Sequence, residues 1–231
     1  MAISNALETN KQKTTENSSR EWLLGSYDTR NRGTSNSLFL DSSGNNNHAT
    51  MSGVTNSSWL ADGALKFNGI NSLITTPISQ NIFNNPNGGT VEIILDFGSR
   101  EDLRGVAGDG NKGDFSLLFM QCYGNVVESG FVSRPRIIIT QSSALVNGYA
   151  HYSFTYDRNM SRFYTDAVLK GSRSDNNLTI LNNPILIGAG ALTNPNCFSN
   201  GKMKLFNIYN KALTQQEITN NYNHFVNEKL L

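Results

Sequence analysis

The groups in this sequence best able to do chemistry are two strand carboxylates and three histidines. Glu92 and Asp96 fall within Thr90–Phe97, a run rich in β-branched and apolar residues that reads as a strand. Residues four apart on a strand share a face and lie roughly 13 Å from each other. Sugar hydrolysis by paired carboxyls needs about 5–5.5 Å for retention and roughly 6.5–9.5 Å for inversion. The pair is therefore expected to be ordinary sheet residues. His48, His151 and His224 fall in a turn, a strand and a terminal helical stretch, and no G-x-S-x-G elbow accompanies them, so no nucleophilic triad is expected. GDGNKGD (Gly108–Asp114) has the glycines of a phosphate loop without its Gly-Lys-Ser/Thr ending, and it reads as a loop tip. Cys122 and Cys197 are too few for a disulfide framework, and both free thiols and a bridge stay open. No Cys/His cluster has zinc spacing.

These residues need strands to position them. From Glu21 onward, short apolar or alternating runs recur between turn signals such as SSGNNN, NPNGG, YDRN and SDNN, which argues for a sandwich or barrel; βαβ alternation is absent. In YAHYSFTYD, Ala150, Tyr152, Phe154 and Tyr156 take one face, expected to be core. Tyr149, His151, Ser153, Thr155 and Asp157 take the other, expected to face solvent or a groove. The run Leu213–Asn227 spaces Leu213, Ile218, Tyr222 and Phe225 helically, with a capping box from Thr214 to Glu217. The fold class expected is all-β, a two-sheet antiparallel jelly-roll sandwich with a short C-terminal helix.

About one residue in seven is Asn, which suits turns that tolerate left-handed backbone and equally suits an AT-rich genome. A net charge of +1, without a Lys/Arg run, gives no footprint for nucleic acid, and no stretch approaches a membrane span. Residues 1–19 are polar and too poor in apolar surface to fold alone, so the division expected is a polar arm (1–19) and one domain (20–231). The arm reads either as a loose tail or as a segment that docks on a partner.

Several segments, in order, resemble the laminin-G-like jelly rolls of the concanavalin-A-like lectin/glucanase superfamily over about residues 20–225. They are DSSGNNNHAT, ALKFNGINSLITTP, TVEIILDFG, GYAHYSFTYD, RFYTDAVLKG, and NNPILIGAG followed by FSNGKMKLFNIYNKALTQQEITNNYN. In this reading Gly44 and Asn45 make a left-handed turn, and Asn68-Gly69 signals a hairpin. Tyr149 replaces the usual Trp, Asp166-Ala167 replaces an Asp-Gly turn, and Asp109–Ser133 fits poorly, as an insertion elaborating loops would. The superfamily's hydrolases carry E-x-D-x-x-E on one strand, which this sequence lacks.

The resemblance implies a lectin-like domain, and possible ligand contacts are assigned to Tyr149, His151, Trp59 and Tyr123. Aromatic faces and amides hold sugars. It also raises calcium at Asp41, Asn45 and Asn47, or at Asp109 and Asp114, although calcium wants six to eight oxygens. No other cofactor is implied.

The sequence begins at Met1 without an export signal, which suggests release by assembly. The expectation is a non-catalytic structural or adhesion protein of a bacteriophage virion (head decoration, fibre or tail component), made in the host cytoplasm. It would engage other virion proteins through residues 1–19 and surface glycan through the domain, with homo-oligomerisation open. A bacterial cell-surface carbohydrate-binding module is the alternative, and a glycan hydrolase the remote one.

Overall fold

The structure, a computed structural model, describes residues 19–97, 104–108, 116–123, 126–132, 137–141, 148–174, 180, 182–189 and 198–231. Its strands in chain order are β1 (Leu23–Asp28), β2 (Leu38–Phe39), β3 (Ala49–Ser52), β4 (Leu65–Lys66), β5 (Leu73–Ser79), β6 (Gly89–Asp96), β7 (Arg104–Gly108) and β8 (Ser116–Tyr123). There follow β9 (Val126–Val132), β10 (Ile137–Gln141), β11 (Ala150–Tyr156), β12 (Met160–Thr165), β13 (Val168–Ser174), β14 (Pro184–Ile187) and β15 (Lys202–Tyr209), and then helix α1 (Gln215–Asn227).

The strands form two antiparallel sheets. The first runs β1-β15-β6-β11-β12-β13, with β4 joined to β15, and the second runs β10-β9-β8-β7-β14-β5-β3-β2. Val91, Ile93, Leu95, Tyr152, Phe154, Phe206 and Ile208 point from the first sheet toward Phe39, Met51, Ile74, Ile185 and Ile187 of the second. Tyr152 lies edge-on to Phe97 at 5.3 Å and stacks on Phe163 at 6.2 Å. Edge-to-face and offset contacts of this kind suit the ring quadrupole. The jelly-roll architecture and the core face of β11 are as expected.

Helix α1 crosses the outer face of the first sheet. Ile218 and Leu213 pack on Tyr164 and Tyr209, while Phe225 packs on Ile94 and Leu205. Thr214 and Glu217 close the capping box, with Thr214 N donating to Glu217 Oε2 at 2.8 Å and Glu217 N donating to Thr214 Oγ1 at 3.3 Å. Thr90 Oγ1 fixes the helix entry, donating to Lys211 O and accepting from Leu213 N. Among the described residues no helix is long and apolar enough to cross a membrane.

Three expectations change. The middle of the polar face of β11 does not meet solvent: His151, Ser153 and Thr155 are fully buried, because α1 covers them, while Tyr149 and Asp157 at its ends are partly exposed. Asn68-Gly69 makes no hairpin, since β4 pairs with β15 while β5 pairs with β3 and β14. Asn68 Oδ1 instead accepts the backbone N–H groups of Ile70, Asn71 and Ser72, so the turn carries the chain between sheets. The left-handed residues of the early turn are Gly44 and Asn46, not Asn45. Within the poorly matching stretch 109–133, β8 and β9 join the second sheet. Residues 1–18, Asp109, Asp114 and Cys197 lie outside the described residues, as does the side chain of Cys122, so the arm, the second calcium reading and the cysteine pairing do too.

Candidate functional site beneath the terminal helix

Register brings three polar residues side by side on the outer face of the first sheet. Ser153 of β11 and Asn207 of β15 both stand opposite Glu92 of β6. Tyr209, two residues beyond Asn207, shares its face. Glu92 is 1% exposed, and every polar contact it makes is internal. Its Oε2 accepts from Tyr209 Oη at 2.9 Å and from Asn221 Nδ2 at 3.0 Å. Its Oε1 accepts from Ser153 Oγ at 3.3 Å and lies 3.3 Å from His151 Nε2. Burial, and after it the neighbouring Glu92 carboxyl, push the Tyr209 phenol well above its ordinary pKa, so Tyr209 keeps its proton and donates it to Glu92.

Ser153, His151 and Glu92 have the composition of a triad but not its geometry. A triad base uses one ring nitrogen toward the nucleophile and the other toward the orienting acid. Here Nε2 faces both Ser153 Oγ and Glu92, while Nδ1 is buried without a partner. The imidazole stacks on the ring of Tyr222 at 6.1 Å and meets that of Phe225 edge-on at 5.2 Å. Asp96, the other acid of β6, is ion-paired with Lys202 at 3.0 Å. The alternation of β6 and β11 already placed these side chains on outward faces; that α1 would seal them needed the tertiary structure.

Beside this network a groove of about 640 Å³ opens between β1, β15 and α1. Asn207, Tyr209 and Asn221 line it from the network side, Arg20 and His224 are exposed residues of its lining, and Ser42 comes from the turn 41–47. That turn is stapled along the edge strand β1, which protects the edge. Asp41 organises it. Its Oδ1 accepts from the amides of Ser26 and Ser43 at 2.9 Å each, and its Oδ2 accepts from Ser43 Oγ at 2.7 Å and Asn47 N at 2.9 Å. Burial alone would raise the Asp41 pKa, but these hydrogen bonds outweigh it and hold the carboxyl below the ordinary range.

The residues singled out from sequence do not gather at the groove. His151 is sealed under α1, out of reach of a ligand. Tyr149 is half-buried, donates to Asp62 Oδ2 at 2.8 Å, and carries the Lys204 ammonium 4.1 Å above its ring. Trp59 packs edge-on against Phe39, donates to Asn36 Oδ1 at 3.1 Å, and lies under the Arg32 guanidinium at 4.6 Å. The side chain of Tyr123 lies outside the described residues. Asp41 and Asn45 do not fit a calcium cage: the Asp41 oxygens are engaged by N–H and O–H donors, and Asn45 Nδ2 donates to Leu23 O at 2.7 Å. Among the described residues no three His, Cys, Asp or Glu side chains cluster to hold a metal.

Residues 68–219 match the family profile described as the concanavalin A-like lectin/glucanases superfamily. The chain belongs to that superfamily. As a superfamily member it shares its fold with the botulinum neurotoxin serotype D binding domain (TM-score 0.64, 16% identity, covering 90% of this chain and 53% of that one). A serotype D/C toxin binding domain matches at TM-score 0.65 and 14% identity, with 90% and 53% covered. The sialidase of Trypanosoma rangeli, solved with sialic acid, matches at TM-score 0.64 and 16% identity, with 87% and 33% covered. The chain thus spans about half the length of the toxin domains and a third of the sialidase. No curated protein sequence matches it. At these identities the likeness is one of lectin-like fold.

Proposed function

We propose that this superfamily member is a non-catalytic, lectin-type module that binds glycan, carried on a bacteriophage virion. The observation that carries the reading is the fate of its polar outer face. The acid of that face, Glu92, is enclosed in hydrogen bonds, and Asp96 is neutralised by Lys202. The groove beside them presents amides, hydroxyls and a guanidinium, the groups that hold sugars without reacting with them. The toxin neighbours are binding domains, which supports a binding role.

For the setting, residues 1–19 are polar, and they lead into the domain at Ser19, which lines the groove. We assign them contact with other virion proteins. A glycan array probed with the full chain, together with a reducing-sugar assay on any polysaccharide bound, tests the function. Binding without turnover is expected. Turnover lost in Glu92→Gln overturns the non-catalytic reading, and silence on the array overturns the glycan reading. Deletion of residues 1–19 is expected to abolish incorporation into particles; full incorporation without them, or glycan binding by a protein found only at a bacterial surface, favours a carbohydrate-binding module instead.

A further inference from the structure

The protons of the buried network converge on one carboxyl. Tyr209 Oη and Asn221 Nδ2 donate to Glu92 Oε2, and Ser153 Oγ donates to Oε1. Ser153 has only that proton, so toward His151 Nε2, 3.1 Å away, it accepts. The ring proton of His151 therefore sits on Nε2, and Nδ1, buried without a partner, is bare. This arrangement fits one protonation state, an ionised Glu92 beside a neutral His151. A second proton on His151 lands on Nδ1, where it meets no acceptor. A proton on Glu92 confronts neighbours that already point their own protons at it. A buried donor left unpaired is costly.

The other charged and titratable groups around the pair do not relieve it. Asp96 of β6 is held by Lys202 at 3.0 Å, and Asp157 of β11 by Arg162 at 2.7 Å. Asp166, in the turn after β12, accepts the backbone N–H of His151 at 2.9 Å, and Tyr164 of β12 packs on Ile218. On β15, Lys204 lies over the ring of Tyr149. On α1, Glu217 is paired with Lys211 at 2.7 Å, Tyr222 stacks on the imidazole, and His224 is exposed beside Phe225. Arg20 acts on Tyr209 through its charge alone.

Helix α1 can part from the sandwich without breaking its core. Its apolar contacts lie in two small clusters on the outer face, and none of its side chains enters the cluster between the sheets. With α1 lifted, water reaches both groups. In water an imidazole takes up a proton below about pH 6.5 and a carboxylate below about 4.3. The uncovered state then binds more protons than the covered one, so the docking of α1 is strongest above that range and weakens as pH falls.

We propose that α1 is an acid-released cover: as pH falls, His151 and then Glu92 take up protons that the closed network cannot pair, and the helix leaves the outer face of the first sheet while the two sheets stay together. The face so released presents Glu92, Ser153, Asn207 and Tyr209 to solvent.

Hydrogen exchange on the full chain, read by NMR between pH 7 and 4.5, tests this. The opening constant at the amides of Asn221, Tyr222 and Phe225 in α1 is expected to rise below about pH 6.5, approaching tenfold per pH unit for one proton taken up on opening. The amides of Ile93 and Tyr152, in the core strands, are expected to keep theirs. His151→Gln retains an amide N–H for Ser153 and cannot titrate, so it is expected to hold the α1 constant level down to about pH 4.5. Should that variant not fold, the slope of the parent decides alone. A level or falling constant in the parent, an H151Q variant that keeps the slope, or core amides that open together with α1 overturns the proposal.

Discussion

Glu92→Ala removes the acceptor at the centre of the outer-face network, and the surrounding geometry sets the cost. Three donors converge on the carboxyl: Tyr209 Oη, Asn221 Nδ2 and Ser153 Oγ. Asn221 retains Tyr209 Oη as a second acceptor, and Ser153 retains His151 Nε2. Tyr209 Oη alone loses its only acceptor, at about 1–3 kcal/mol for a buried donor left unpaired. The space vacated at a site 1% exposed adds about 1–2 kcal/mol of lost packing. The expected total is about 3 kcal/mol, or a fall in Tm of about 6–12 °C for a domain of this size. Glu92→Gln keeps one carbonyl oxygen for Tyr209 and is expected to cost about 1 kcal/mol. Urea unfolding followed by near-ultraviolet circular dichroism measures both. An alanine variant within 1 kcal/mol of the parent would refute the reasoning, as would a glutamine variant equally damaging. An acid held in a strained, ligand-facing site would instead give neutral or stabilising substitutions.

Three further outcomes follow from local geometry. Ala167 sits at φ +60° in the turn between β12 and β13; since a left-handed alanine costs about 1–2 kcal/mol, partly offset by the extra freedom of glycine when unfolded, Ala167→Gly is expected to stabilise by about 0.5–1 kcal/mol in a thermal melt. The Asp41 pKa is lower folded than unfolded, so its contribution is complete above about pH 4 and is lost as pH falls through the folded value. Melts from pH 5 to 2.5 should show a flatter acid limb in Asp41→Asn than in the parent, with the variant less stable at pH 5. Thr214→Ala removes the N-cap of α1 and is expected to cost about 1 kcal/mol, while Thr214→Ser restores most of it; equal Tm values for alanine and parent would show that the cap contributes nothing.

The jelly roll was legible because its signals are local. Alternation in β6 and β11 follows from the two-residue period of a strand, and the Thr214–Glu217 box marks the start of α1 within four residues. Of the aromatic residues singled out from sequence, those described lie apart from the groove. Trp59 and Tyr149 look like sugar platforms in sequence, but neither lines the groove, and Arg32 and Lys204 stand over their rings. Asn68-Gly69 misled for a related reason: a turn dipeptide specifies a reversal of direction, not which strands pair across it.

What the sequence by itself determined is which side chains share a face: Glu92 with Asp96, and His151 with Ser153. That is a property of backbone geometry over a few residues. What only the tertiary structure decided is what lies over that face. Glu92 meets Tyr209 and Asn221 across more than a hundred residues, where strand register and the docking of α1 set the distances. A carboxyl on an outward strand face reads the same in sequence whether water or a helix covers it. The covering helix makes Glu92 an anchor, and leaves a groove beside it between β1, β15 and α1.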